Sequence, residues 1–151
     1  MSWWTVCAER NLTEDIPASP KDVRDFYVDL NNIKRVHPLV VAVKETGRQQ
    51  IADGYAQTYR VSDRIPLGRF TFPISYVARL CVPADGDVVA EARQFPRVRL
   101  HTTVTFDKIA EGTRLVERIR IEAPRPLAVM TTREAVKAHT EMLAGIRRCF
   151  E

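Results

Sequence analysis

Residues 126–150 read PLAVMTTREAVKAHTEMLAGIRRCF. On a helical projection Ala128, Thr132, Ala135, Val136, His139, Met142, Leu143, Ile146 and Phe150 share one face, and Arg133, Glu134, Lys137, Glu141 and Arg148 share the other. That is the pattern of an amphipathic helix. Pro124-Arg125-Pro126 suits its start, and Lys137 and Glu141 have the spacing of a helical ion pair. His139 stands in the middle of the apolar face, where an aliphatic residue is expected. So broad a stripe needs a surface to lie on, and the preceding residues must supply it.

They do so as strands. Residues 3–14 begin with β-prone Trp3, Trp4, Thr5 and Val6. Pro17-Ala18-Ser19-Pro20 ends that strand and starts a helix, with Ser19 as N-cap, Pro20 at the first helical position and Asp22 near the positive end of the helix dipole. Val23, Phe26, Tyr27 and Leu30 form its apolar stripe, and a second short helix is expected over 32–36, ending before His37-Pro38. From Leu39 the hydrophobic period becomes two. Strands are expected over 39–46, 51–61, 69–82, 87–94, 97–109 and 114–123, with a loop at 62–68. In the last two, Val98, Leu100, Thr102, Val104 and Phe106 alternate with Arg97, Arg99, His101, Thr103 and Thr105, and Leu115, Glu117, Ile119 and Ile121 alternate with Val116, Arg118, Arg120 and Glu122.

The 151 residues fit one domain, 1–151, large enough for a real core. The chain is 45% hydrophobic and 28% charged, which is ordinary for a globular protein. Its net charge of +4 is scattered rather than clustered, so no nucleic-acid partner is expected. Cys7, Cys81 and Cys149 are odd in number and lack metal-ligand spacing, which points to reduced thiols in the cytoplasm and to no metal site. No apolar run is long enough for a membrane span or a signal sequence, so no integral membrane contact is expected. No GxSxG, P-loop, dinucleotide fingerprint or HExxH motif occurs, and no cofactor is expected.

One strand, two short helices, six strands in meander spacing and one long helix make an α+β chain. Several segments carry a more specific likeness: Ile16-Pro17-Ala18-Ser19-Pro20-Lys21-Asp22-Val23, Asp29-Leu30, His37-Pro38, Gly112-Thr113, and Met142-Leu143-Ala144-Gly145-Ile146-Arg147. In this order and spacing the chain resembles the helix-grip superfamily of START-related and plant-allergen-like proteins, and within it the bacterial polyketide cyclase/dehydrase and lipid-transport group. The resemblance implies a curved seven-stranded antiparallel sheet wrapped around the long C-terminal helix, with two short helices between strands 1 and 2. It also implies a hydrophobic small molecule held between sheet and helix. An edge strand offers a route to a homodimer.

In a meander, alternate connections lie at the same end, so Leu67, Phe95, Pro96 and Pro126 gather on one edge and are the expected gate; as a plain reading, their prolines simply end strands. The expected lining is Tyr55, Tyr59, Phe70, Phe72, Tyr76, Leu100, Thr102, Val104, Phe106, Ile119, Ala135 and Met142. Glu117 shares the inward face of its strand and needs a partner there, because a bare buried charge is costly. His139 is the natural one. The pair reads either as structural or as acid and base for proton transfer beside a ketone, as in an aromatase/cyclase or dehydratase. His101 is expected on the outer face, and His37 at the surface or as a cap. Arg97, Arg99, Arg118 and Arg120 are expected on a solvated outer face, partly neutralised by Glu91 and Glu122. Binding or carriage of a hydrophobic or amphipathic molecule is the favoured reading, polyketide cyclisation the alternative, and a partner-binding basic face the third.

Overall fold

The computed structural model describes residues 4–151, apart from the side chain of Leu67. The elements are β1 (Thr5–Ile16), α1 (Pro20–Val28), α2 (Leu30–Lys34), β2 (Val40–Ile51), β3 (Gly54–Leu67), β4 (Phe70–Pro83), β5 (Val88–Gln94), β6 (Val98–Ile109), β7 (Gly112–Pro124), a 3-10 turn (Arg125–Leu127) and α3 (Ala128–Cys149). The strands form one antiparallel sheet in the order β1-β7-β6-β5-β4-β3-β2. This is the seven-stranded α+β arrangement expected, with both short helices between β1 and β2. The expected placement of Trp3 in β1 lies outside the described residues.

Several boundaries differ: β1 runs to Ile16 rather than 14, and α2 spans Leu30–Lys34 rather than 32–36. The expected loop at 62–68 is mostly strand: β3 and β4 pair without interruption from Gly54↔Pro83 to Leu67↔Phe70. Pro66 there sits at the end of a long ladder, so it does not break the hairpin. β2 likewise runs past Gly47, with register shifts between Val40 and Ala42 and between Glu45 and Gly47 that absorb the irregularity. The Lys137–Glu141 pair does not form, and both side chains are left exposed on α3.

The start of α1 explains one of the sequence signatures. Ser19 accepts a hydrogen bond from the Asp22 amide at 3.2 Å, which satisfies a donor left open in the first turn. The fully buried Thr113 donates from Oγ1 to the Ala18 carbonyl at 2.7 Å. Next to it Gly112 has φ +147, and a Cβ there would fall 2.1 Å from the Ile16 carbonyl oxygen. The β6–β7 turn thus clamps the link between β1 and α1 and leaves no room for a side chain. Gly112→Ala is expected to lower stability by about 2–3 kcal/mol, because strain and overlap add. A thermal melt unchanged from wild type would contradict this.

The inward side chains of β3 to β7, the apolar face of α3 and the buried face of α1 form the core, with Val23, Val61, Val88, Val104, Leu115, Leu143 and Ile146 at most 1% exposed. α3 packs chiefly on β1 and β7, at one side of the curved sheet. Its C-terminal half is seated closely: Phe150 meets Phe26 edge-on at 5.6 Å, and a Cβ on Gly145 would lie 2.9 Å from Val36 Cβ. Its N-terminal half faces a sheet that curves away from it, and there the packing is incomplete.

Candidate functional site

Between the N-terminal half of α3 and the inner face of β3 to β6 lies a cavity of about 460 Å³. This is within the usual range for small-molecule sites. Its wall is largely apolar, with Val61, Ile74, Ala78, Leu80 and Leu100 from the sheet and Leu127, Met130, Ala138 and Met142 from the helix side. Phe72, Pro73, Phe95 and Pro96 line it at the end where the β3–β4 and β5–β6 turns and the β7–α3 junction meet. Phe95 is 89% exposed and Phe72 50%, so this apolar rim reaches solvent.

Against this wall stands a connected polar group. Glu117, on β7, is 0% exposed. Its Oε1 lies 2.9 Å from Nδ1 of His139, and its Oε2 accepts the Tyr27 hydroxyl of α1. A carboxylate here must accept, so Nδ1 of His139 carries the proton. Burial disfavours the imidazolium, but the Glu117 charge, its hydrogen bond and the field of Asp63 outweigh burial and hold His139 above its ordinary value. Tyr27 is pushed well up by burial and by the adjacent carboxylate, so it stays a donor. The His139 ring meets His37 edge-on at 5.6 Å. Nδ1 of His37 accepts the Leu39 amide at 3.2 Å, which fixes the neutral Nε2–H form. Burial, helped by His139, depresses His37 to about 3.

Asp63, on β3, completes the polar wall. It is 6% exposed and lines the cavity, and its Oδ1 has no hydrogen-bond partner. Burial raises its carboxyl to about 6, against the opposing influence of the Tyr76 hydroxyl and His139.

Of the residues singled out in the sequence, Phe72, Tyr76, Leu100, Thr102, Ala135, Met142 and His139 line the cavity, as do Phe95 and Pro96 at the rim. Glu117 stands behind His139 rather than in the lining. Tyr55, Tyr59, Phe70, Val104, Phe106, Ile119 and Pro126 do not line it. The cavity occupies the turn end of the sheet, whereas the helices fill the other end. Tyr59 is held under α1 through its hydroxyl on the Val28 carbonyl at 3.3 Å, and Phe106 packs edge-on against Tyr27 at 5.7 Å. Tyr55 lies beneath the Arg48 guanidinium at 4.1 Å. Val104 and Ile119 are sealed in the core at 0% and 1% exposure, and Phe70 is 66% exposed at the hairpin tip. Pro126 is replaced by its neighbour Leu127, and the Leu67 side chain lies outside the described residues.

His37, expected at the surface or as a cap, lines the cavity beside His139, and its Nδ1 accepts the Leu39 amide as a cap does; only the surface placement needs correction. His101 does face outward, sharing Glu91 with Arg99, each at 2.9 Å. Sequence reasoning missed Asp63 and Tyr27 as site residues. Asp63 continues the inward period of Tyr59 and Val61, a signal hidden by the expected loop. Among the described residues no group of side chains could hold a metal ion, and no helix is long and apolar enough to cross a membrane.

No family model matches the chain, and no curated protein matches its sequence. Solved structures do match. The di-domain ARO/CYC BexL from the BE-7585A biosynthetic pathway superposes with a TM-score of 0.74 at 16% identity, over 96% of this chain and 50% of BexL. The Zhui aromatase/cyclase from Streptomyces sp. R1128 gives 0.70 at 12% identity, over 94% of this chain and 91% of that one. A START superfamily protein from Mycobacterium smegmatis gives 0.68 at 12%, over 96% and 99%. At such identities the likeness carries the fold alone: the chain shares the helix-grip fold of these solved structures.

Proposed function

We propose that this protein binds or carries a hydrophobic or amphipathic small molecule in the cavity beneath the N-terminal half of α3. The observation that supports this reading most is the hollow itself: about 460 Å³ lined mainly by aliphatic side chains, with a few convergent polar groups on one wall. Tightly packed interiors leave few voids larger than a water, so a space of this size under an amphipathic helix calls for an occupant. The exposed Phe95 and Phe72 at the rim give such a molecule an apolar path inward. Titration with the neutral fluorophore N-phenyl-1-naphthylamine tests the reading. Ala92, on β5, lines the cavity, and Ala92→Phe is expected to weaken the probe by about tenfold or more, by filling the space. Equal affinity in a folded Ala92→Phe protein would count against the cavity as the binding place.

A second reading, an aromatase/cyclase or dehydratase acting on a polyketide-like substrate, is supported by His139, which both lines the cavity and is backed by Glu117. With Nδ1 held by Glu117, Nε2 is the nitrogen that could take a proton from carbon beside a carbonyl, or return one to an oxygen. Glu117 would stabilise the imidazolium formed, and Tyr27 would hold the carboxylate in place. BexL is described as an ARO/CYC and Zhui as an aromatase/cyclase. His139→Ala separates the readings: an enzyme loses turnover of a poly-β-ketone surrogate while still binding it, whereas a carrier keeps its ligand with altered affinity.

A further inference from the structure

We propose that the molecule taken by this cavity is a non-anionic amphiphile whose head group donates a hydrogen bond to Asp63, a protonated amine in first place and a hydroxyl in second. This rests on the reading of the cavity as a ligand site and adds the chemistry of the ligand's polar end. Three observations carry it.

Asp63 Oδ1 is a buried acceptor with no partner, on a side chain 6% exposed in the cavity wall. Leaving such an oxygen empty is costly, and only a donor corrects it. The charges around the hollow also have a sign. The chain as a whole carries +4, yet none of the described residues lining the cavity is Lys or Arg. The imidazole of His139 is matched by the Glu117 carboxylate, and His37 is held neutral by its Leu39 contact. Glu91 touches the lining, but its carboxylate is engaged by Arg99 and His101 on the outer face. What remains is Asp63, with Glu134 of α3 also in the lining. The third observation is the placement of donors: Tyr27 and the His139 Nδ1 proton are committed to Glu117, and the His37 Nε2–H is a neutral donor that brings no charge to an anion. A carboxylate or phosphate head group would therefore meet the Asp63 carboxylate and find no cation beyond a His139 already matched by Glu117. An ammonium would find both an acceptor and an opposite charge. Burial lifts the Asp63 carboxyl to about 6, so near neutral pH it is largely ionised and ready to accept.

The test compares dodecylamine, dodecanol and dodecanoate at one chain length, by displacement of N-phenyl-1-naphthylamine near neutral pH. The amine is expected to bind best, and the carboxylate at least about tenfold more weakly, the size of one charge-assisted hydrogen bond. Asp63→Asn keeps the shape of the side chain and is expected to remove most of the amine's advantage over the alcohol. A carboxylate that binds as well as the amine to the wild-type protein would overturn the inference without any variant. So would an Asp63→Asn protein that keeps the full preference for the amine. If none of the three displaces the probe, the cavity reading itself falls, and this one with it.

Discussion

Glu117→Gln is expected to flatten the alkaline side of the stability profile and to lower stability at neutral pH by about 2–4 kcal/mol. Glu117 is fully buried and holds both His139 and Tyr27. An amide in its place can still accept from Tyr27, but it no longer balances a charged imidazole. The sign follows from His139, whose folded value lies above the ordinary 6.5. The folded protein then binds the proton more tightly than the unfolded chain does. That stabilisation is complete below about 6.5 and is lost as pH rises through the folded value. The other shifted groups of the site act elsewhere. His37, depressed to about 3, costs stability as pH falls below 6.5, while Asp63, raised from 3.8 to about 6, costs stability as pH rises through that interval. The decline between neutrality and the tyrosine range therefore belongs to His139. In Glu117→Gln burial is opposed only by the more distant Asp63, so His139 drops and the decline disappears. Urea unfolding across this range, with the His139 ring followed by NMR, would show it. The same slope in wild type and variant would mean that the pair is not coupled as its geometry implies.

The sequence made the scaffold legible and the polar wall only in part, for a physical reason. Strand periodicity depends on contrast between neighbours, and β6 and β7 alternate so regularly that Glu117 declared itself inward among Leu115, Ile119 and Ile121. His139 did so by the same contrast on a helix. Asp63 was hidden because Pro66 and Gly68 suggest a loop, yet cross-strand pairing with β4 carries the ladder to Leu67. Tyr27 looked like an ordinary member of an apolar stripe, and only tertiary placement brings its hydroxyl to a carboxylate ninety residues later. His37 lies next to a proline at a junction, a position whose burial depends on where α3 passes. The extent of the hollow was least legible. Phe106, Val104 and Ile119 share the inward face with Leu100 and Thr102, and no local pattern separates residues that face a helix from those that face a void.

That difference between filled and unfilled core can itself be measured with two truncations on α3. Ile146 is 0% exposed, belongs to the main core and does not line the cavity, whereas Met142, 2% exposed, belongs to that core and does line it. Ile146→Ala is expected to cost about 3–5 kcal/mol, since it opens a new void where neighbours enclose the side chain on every side. Met142→Ala is expected to cost less, about 2–3 kcal/mol, because one side of Met142 already lacks partner atoms and a flexible thioether is more readily replaced. The binding readouts should run the other way. Met142→Ala enlarges the site and should shift preference towards longer alkyl chains, while Ile146→Ala should leave the ranking of chain lengths unchanged in whatever fraction stays folded. Equal losses of stability with no change in chain-length preference would mean that Met142 is packed as fully as Ile146. The space under the N-terminal half of α3 would then be closed in solution, and no guest could occupy it.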